Sequence, residues 1–315
     1  MKEKVEVDAV FIGGGIIGLM TALKYSKKYP DNFIAVIDKE QYLGDHTTGR
    51  NSGVMHAGIY YETDSLKHKL CIEGNRLWKK ISQDLKIPYL NSGKFIIACS
   101  EEEVPLLDET KTKALNNGVE GIRDITDEEK SLLSTFTNAV SGIYSETTGI
   151  LDASEAINRI EDELFKRDIP ILKKTEALKI EIESNDFIVE TNNEIIVAKK
   201  LFNCAGLGAI SIRKMLGLND LENYFVKGNY LTCSKRIEIN SLVYPVPLKN
   251  LKGLGVHLTL DFQGEIKFGP DTEDTNEIKY NIKPEAKEIM YKSISHIFKG
   301  ITIDDLEEDY CGIRP

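Results

Sequence analysis

The chain has 315 residues, 41% of them hydrophobic and 29% charged, with a formal net charge of −10. That length buries a core large enough for two lobes. The acidic balance argues against non-specific nucleic-acid binding, which needs a basic surface, but it admits an anionic small substrate, because a few arginines in a pocket override the global sign locally.

The first element is the apolar run Val7-Asp8-Ala9-Val10-Phe11-Ile12, a strand that feeds Gly13-Gly14-Gly15 and then a helix through Leu19 and Leu23. Gly13, Gly15 and Gly18 have the G-x-G-x-x-G spacing. The first glycine permits the tight turn, the second lets backbone approach a pyrophosphate, and the third lets the helix pack on the strand. The helix N-terminus offers unpaired N–H groups to the phosphates. The second strand, Phe33 to Ile37, ends in Asp38, where a carboxylate can accept hydrogen bonds from the ribose hydroxyls of an adenine dinucleotide. Whether that is FAD or NAD stays open on the motif alone.

After Lys39 comes a stretch from Gly44 to Tyr61 rich in small and hydrogen-bonding residues. Thr47, Thr48, Asn51 and Ser52 supply donors, glycines such as Gly53 permit close approach, and Arg50 pairs with either a phosphate or a structural carboxylate. Ser65-Leu66 starts a helix with Trp78 in its core face, and Lys94 to Cys99 reads as a strand. Glu101-Glu102-Glu103 opens an exposed helix. Thr126 and Glu129 form a capping box, Ser141 to Tyr144 is a short strand, and Asp152 caps a helix to about Lys166. From Ile171 to Val197 a small antiparallel meander is expected. Lys200 to Ala205 is a further strand that runs into Gly206 and a helix ending at Gly217. The last third reads as strands (224–233, 242–244, 255–260 and 265–269), a mixed or antiparallel floor for a substrate pocket. The five cysteines show no C-x-x-C pair, so neither a disulfide framework nor a zinc site is suggested, and the compartment reads as reducing, most simply the cytoplasm. There is no signal-peptide core and no integral membrane span, while peripheral attachment stays open.

The residues resemble the FAD-dependent oxidoreductases of the D-amino-acid-oxidase-like superfamily, nearest the L-2-hydroxyglutarate dehydrogenase/oxidase family. The resemblance is carried by Gly13 to Gly18, Thr47 to Tyr61, Lys67 to Gly74, Asn203 to Leu207, Val226 to Tyr230 and Gly255 to Thr259. It implies FAD as the cofactor, held by Gly13, Gly15, Gly18, Asp38, Lys39, Thr47, Thr48, Arg50, Asn51, Ser52, Gly53, Ala205 and Gly206. It implies oxidation of (S)-2-hydroxyglutarate to 2-oxoglutarate by hydride transfer to flavin N5, with electrons passed to oxygen, a quinone or another carrier. The expected architecture is α/β: a Rossmann-like FAD-binding domain from 1–90 and 141–217, and an α+β substrate domain with a mixed or antiparallel sheet from 91–140 and 218–310. Residues 311–315 would begin a return to the FAD domain. Family members run on into a glycine-rich segment, so the chain reads as truncated.

Oxidising a 2-hydroxy acid needs a base for the hydroxyl proton and cations for the carboxylates. His56 and His257 are the base candidates, because an imidazole titrates near neutral pH. Each has the alternative of a structural histidine. Arg314 stands where related amine-oxidising members carry a carboxylate-binding arginine, with Lys227 and Tyr60 as further pocket candidates. The rival readings are a flavin amine oxidase or a glycerol-3-phosphate dehydrogenase on the same scaffold, and an inactive FAD-binding fragment.

Overall fold

The computed structural model describes residues 2–247 and 255–315. The nucleotide half is built on a parallel sheet in the order Ile171–Leu172, Ile34–Ile37, Ala9–Ile12 and Leu201–Asn203. Ala9–Ile12 and Ile34–Ile37 are buried along their whole length, as parallel strands covered on both faces must be. Alternate side chains serve different layers. Ala9 and Phe11 pack with Leu19 and Leu23 of the helix Ile16–Lys28 and with Ile160 and Leu164 of the helix Ala153–Phe165. Val10 and Ile12 face Ile180, Val189 and Ile196 of a second sheet.

That second sheet contains the expected antiparallel meander, Ala177–Glu183, Asp186–Thr191 and Ile195–Ala198, with two departures from the sequence reading. The opening apolar run is two strands, not one. Lys4–Val7 pairs in parallel with Ile195–Ala198, and the chain then crosses at Asp8 into the nucleotide sheet. The Asp8 carboxylate accepts from Phe33 N at 2.9 Å and Lys199 Nζ at 2.7 Å, which fixes the crossing. The segment Ile171–Leu172 leaves the meander and pairs with Ile34–Ile37. Its two side chains go to opposite apolar clusters, a two-sided cover that the half-exposed meander does not offer.

The other half is a large mixed sheet. Its order is Glu273–Thr275, Phe225–Cys233, Ile266–Gly269, His257–Leu260, Leu242–Pro245, Lys94–Ala98, Ser141–Ser145 and Ile122–Asp124, with Leu306–Arg314 also paired to Phe225–Cys233. Only Leu242–Pro245 and Lys94–Ala98 run parallel among these pairs. A helix, Ala286–Ile297, absent from the sequence reading, covers one face with Met290, Ile294 and Ile297 in the same core as Leu258 and Phe268. A small sheet of Val54–Met55, Gly149–Leu151 and Tyr89–Leu90 links the two halves.

The local signals for helix starts hold. Thr126 and Glu129 make both bonds of the capping box. The Asp152 carboxylate accepts from Glu155 N at 2.8 Å, and Ser65 caps the helix Leu66–Leu85 by accepting from His68 N at 3.1 Å. Glu101–Glu103 is a single 3-10 turn that leads into the helix Val104–Asn116.

Candidate active site

The strand Ala9–Ile12 ends at Gly13, whose φ of 119° suits only glycine. A Cβ there would overlap the Cys204 carbonyl, and one at Gly18 would overlap the Gly13 carbonyl. Both glycines therefore let the helix Ile16–Lys28 seat directly on the strand ends. Its N-cap, Gly15, has no side-chain cap of its own and its first turn has no acid, so the positive end of the helix dipole faces a cleft that Gly15, Ile16 and Ile17 line. Ile16 N donates to Thr48 Oγ1 at 3.1 Å. Asp38, at the end of Ile34–Ile37, accepts from Gly14 N at 2.5 Å and Glu40 N at 2.8 Å. The cleft has a volume of about 1020 Å³. Its lining includes Gly13, Gly15, Asp38, Lys39, Thr47, Thr48, Asn51, Gly53, Ala205 and Gly206. Gly18 lies beneath it, inside the helix.

Arg50 and Ser52 line a different space, a second cavity of about 700 Å³ under the large sheet. The Arg50 guanidinium stacks over the Tyr280 ring at 4.0 Å, and its Nε donates to the Asp45 carbonyl at 3.1 Å. The Tyr280 hydroxyl in turn meets His46 Nδ1 at 2.7 Å, and His46 Nε2 meets Glu40 Oε1 at 2.9 Å. Arg50 is thus built into a bridge between the two halves.

The second cavity also takes Lys227, Tyr244, His257 and Arg314 into its walls, and it shares Thr47, Asn51 and His56 with the first. Lys227 is buried within the strand Phe225–Cys233 and donates to the Asn281 carbonyl at 2.9 Å. Arg314 ends the strand Leu306–Arg314, opposite Val226. That strand holds the cofactor-side loop in position. Tyr310 Oη donates to the Asn51 carbonyl at 2.8 Å, Thr47 Oγ1 donates to the Ile313 carbonyl at 3.3 Å, and a Cβ on Gly312 would overlap the Arg50 carbonyl.

His56 and His257 both line the second cavity, and His56 adds to the forces that disfavour a charged His257. His257 Nδ1 meets the Gly255 carbonyl at 2.8 Å, so Nδ1 carries the proton and Nε2 is left as an acceptor. Its ring stacks on Tyr244, with centroids 3.6 Å apart. The His56 backbone carbonyl is held by Asn75 Nδ2 at 3.1 Å and Cys71 Sγ at 3.4 Å. Burial pushes both imidazoles down to about 3, with Lys94 adding to the effect on each. Both are therefore neutral at physiological pH.

Sequence reading missed Lys94 and Tyr244. Lys94 is 1% exposed, and its amine lies 4.7 Å from the Tyr60 ring centroid and 4.6 Å from that of Tyr244. Burial lowers it to about 7. Tyr60 does not wall either cavity; its buried hydroxyl, like that of Tyr244, has no hydrogen-bond partner among the described residues. The available signal for Lys94 was one charged residue opening an otherwise apolar strand.

The model of the DAO family, described as FAD dependent oxidoreductase, matches residues 8–315. The chain belongs to this family. The L-2-hydroxyglutarate dehydrogenase of Indibacter alkaliphilus is 32% identical over 84% of this chain and 68% of its own length. The mitochondrial L-2-hydroxyglutarate dehydrogenase of Arabidopsis thaliana is 31% identical over 99% of this chain and 74% of its own. Among solved structures, the dithionite-reduced L-alpha-glycerophosphate oxidase of Mycoplasma pneumoniae with FAD bound superposes with a TM-score of 0.89 at 26% identity, covering 98% of this chain and 83% of that one. As a DAO-family member the chain is an FAD-dependent oxidoreductase. Its own residues fit that cofactor: an uncapped helix N-terminus behind a turn that tolerates no Cβ at Gly13, and an acid at the end of the next strand. Among the described residues no helix is long and apolar enough to cross a membrane.

Proposed function

We propose that this oxidoreductase converts (S)-2-hydroxyglutarate to 2-oxoglutarate, with His56 as the base. The observation that carries the reading is the position of His56 on the wall common to the cofactor cleft and the second cavity. A base for this reaction must touch the substrate hydroxyl while the substrate Cα faces the cofactor. When bound, FAD supplies the two-electron acceptor for the hydride that leaves Cα.

The remaining work falls to the chain. A 2-hydroxydicarboxylate brings two negative charges, and the second cavity offers Lys227 and Arg314 to receive them. Arg314 suits a carboxylate through its planar fork, and Lys227 offers buried N–H donors in addition to its bond to Asn281. His56 starts neutral and takes the hydroxyl proton, and the arriving anion raises its affinity for that proton. His257, with Nε2 free to accept, orients the hydroxyl beside it. Cofactor retention falls to Gly13, Gly15, Gly18, Asp38, Lys39, Thr47, Thr48, Asn51, Gly53, Ala205 and Gly206, with Arg50 and Ser52 holding the loop between the two spaces. The electron acceptor is oxygen, a quinone or another carrier.

The test is anaerobic bleaching of the purified flavoprotein with (S)-2-hydroxyglutarate, glycerol 3-phosphate and an amino acid in parallel. Bleaching by the first alone supports the reading, and bleaching only by either of the others overturns it. His56→Gln should slow flavin reduction by 10²- to 10⁴-fold, the usual contribution of a positioned base, at unchanged flavin content. Equal loss of flavin and activity would mark His56 as structural.

A further inference from the structure

Residues 276–285 carry the chain from the strand Glu273–Thr275 to the helix Ala286–Ile297 and belong to no helix or strand themselves. All of them are exposed except Tyr280 and Ile282, which are half-buried. The Tyr280 ring packs against Leu207, which follows the Gly206 turn of the nucleotide half, and against Phe225 and Ile313 of the large sheet. The Arg50 guanidinium covers the ring at 4.0 Å. The hydroxyl meets His46 Nδ1 at 2.7 Å, and His46 Nε2 meets Glu40 Oε1 at 2.9 Å. In the neutral imidazole Nε2–H donates to the carboxylate, so Nδ1 accepts from the Tyr280 hydroxyl. Two contacts tie the segment to the large sheet: Lys227 Nζ donates to the Asn281 carbonyl at 2.9 Å, and Lys283 pairs with Glu273 at 2.8 Å. Just before Tyr280, Asn276 and Ile278 wall the cofactor cleft, and Glu40 and His46 wall it at the other end of the hydrogen-bond chain.

We propose that residues 276–282 are a strap across the cofactor cleft, latched by Tyr280, and that this strap must open for FAD to enter or leave. The segment begins and ends on the large sheet and its helix, yet it walls a cleft whose opposite side is the dinucleotide turn. Among the described residues, the hydrogen bond that ties it to the nucleotide half is the one between Tyr280 and His46. Opening therefore breaks one hydrogen bond and unseats one ring, while every strand of both sheets stays paired. Such a local opening costs little beside global unfolding. The Tyr280 ring also leaves Arg50, whose Nε remains bonded to the Asp45 carbonyl in the loop that borders the cleft, so strap and loop part at a single contact. A latch of this kind slows entry and exit alike. It retains the cofactor through repeated turnovers by a barrier and not by affinity. The inference concerns cofactor exchange and stands whichever substrate the enzyme takes.

The experiment follows the flavin and the strap in holoenzyme. FAD release is read from the rise of free-flavin fluorescence after dilution into a scavenging apoflavoprotein, and Kd from the fraction of flavin lost on serial dilution. Strap opening is read from hydrogen exchange of a peptide spanning 276–283. Wild type is compared with Tyr280→Phe, which loses the hydroxyl and keeps the ring, and with Tyr280→Ala, which loses both. Tyr280→Phe should speed release and strap exchange together by roughly 3- to 10-fold, the worth of one hydrogen bond, with Kd unchanged. Tyr280→Ala should speed both by roughly 100-fold, because the stack on Arg50 goes too. A Kd that rises in step with release in Tyr280→Phe makes Tyr280 an ordinary wall contact and overturns the proposal. Faster strap exchange with unchanged release overturns it as well, since opening would not be the barrier. Should Tyr280→Phe fail to fold, the wild type decides: saturating trypsin cuts after Lys279 at the rate of strap opening, and FAD release that outpaces this cut overturns the proposal.

Discussion

Mild acid should strip stability from this protein through two histidines. In the folded chain burial holds His56 and His257 down to about 3, against an ordinary value of 6.5. A depressed base contributes stability that is whole above the unfolded pKa. It is lost as pH falls toward the folded value, since only the unfolded chain takes up protons in that window. At about pH 5, one and a half units below 6.5, each imidazole costs RT ln(1 + 10^1.5), or about 2 kcal/mol. Two would cost about 4 kcal/mol, and about 3 kcal/mol is the better expectation because His56 faces the cavities and is partly solvated. The assay is chemical unfolding at about pH 7.5 and pH 5 for wild type and for the double variant His56→Gln/His257→Gln. Carboxylate contributions are common to both proteins and cancel in the difference. Wild type should lose about 3 kcal/mol more than the double variant over that interval. Equal losses would refute the claim that these imidazoles are buried neutral.

Three further outcomes follow from the same structure. Lys94→Met should raise stability at neutral pH by roughly 2 kcal/mol, because a buried amine held to about 7 makes the unfolded chain the better proton binder up to its ordinary 10.5; thermal melts would detect it, and a lower Tm would contradict it. Gly18→Ala should cost about 1–3 kcal/mol and most of the bound flavin, since the new methyl must push the helix off the Gly13 carbonyl; absorbance near the flavin bands against protein gives the occupancy. Thr126→Ala removes one bond of the capping box and should cost about 1 kcal/mol while leaving flavin occupancy unchanged, because the helix Asp127–Phe136 starts on the far side of the large sheet edge.

The parts of the fold written in local chemistry could be read from the chain. Strand, glycine turn, helix and terminal acid follow one another within Ala9 to Asp38, so every determinant lies near its neighbour in sequence. The caps at Ser65, Thr126 and Asp152 are likewise local. What escaped was set by distant partners. Ile171–Leu172 is too short to choose between two sheets by its own pattern and is assigned by the apolar faces it meets. The helix Ala286–Ile297 has a clear stripe at Ala286, Met290, Ile294 and Ile297, but it lies in a region where strand-like runs dominate. The site divides in the same way. His56 and His257 could be named by residue type and titration range, whereas the stacking of Tyr244 on His257 and the seat of Lys94 over the Tyr244 ring are contacts between separate strands. The difference between Arg50 and Thr48 is purely three-dimensional: two residues apart in one loop, they open into different spaces.

The crossing at Asp8 has a consequence for how the molecule comes apart. One residue separates the strand that closes the meander from the strand that feeds the dinucleotide turn, and its carboxylate is bonded to both neighbouring segments. The meander therefore cannot peel away as an independent foldon without pulling on Ala9–Ile12. In native-state hydrogen exchange, amides of Ile195–Ala198 and of Ala9–Ile12 should open with a common free energy, and flavin binding at one end of this unit should protect the amides of a sheet that contributes no residue to the lining of the cleft.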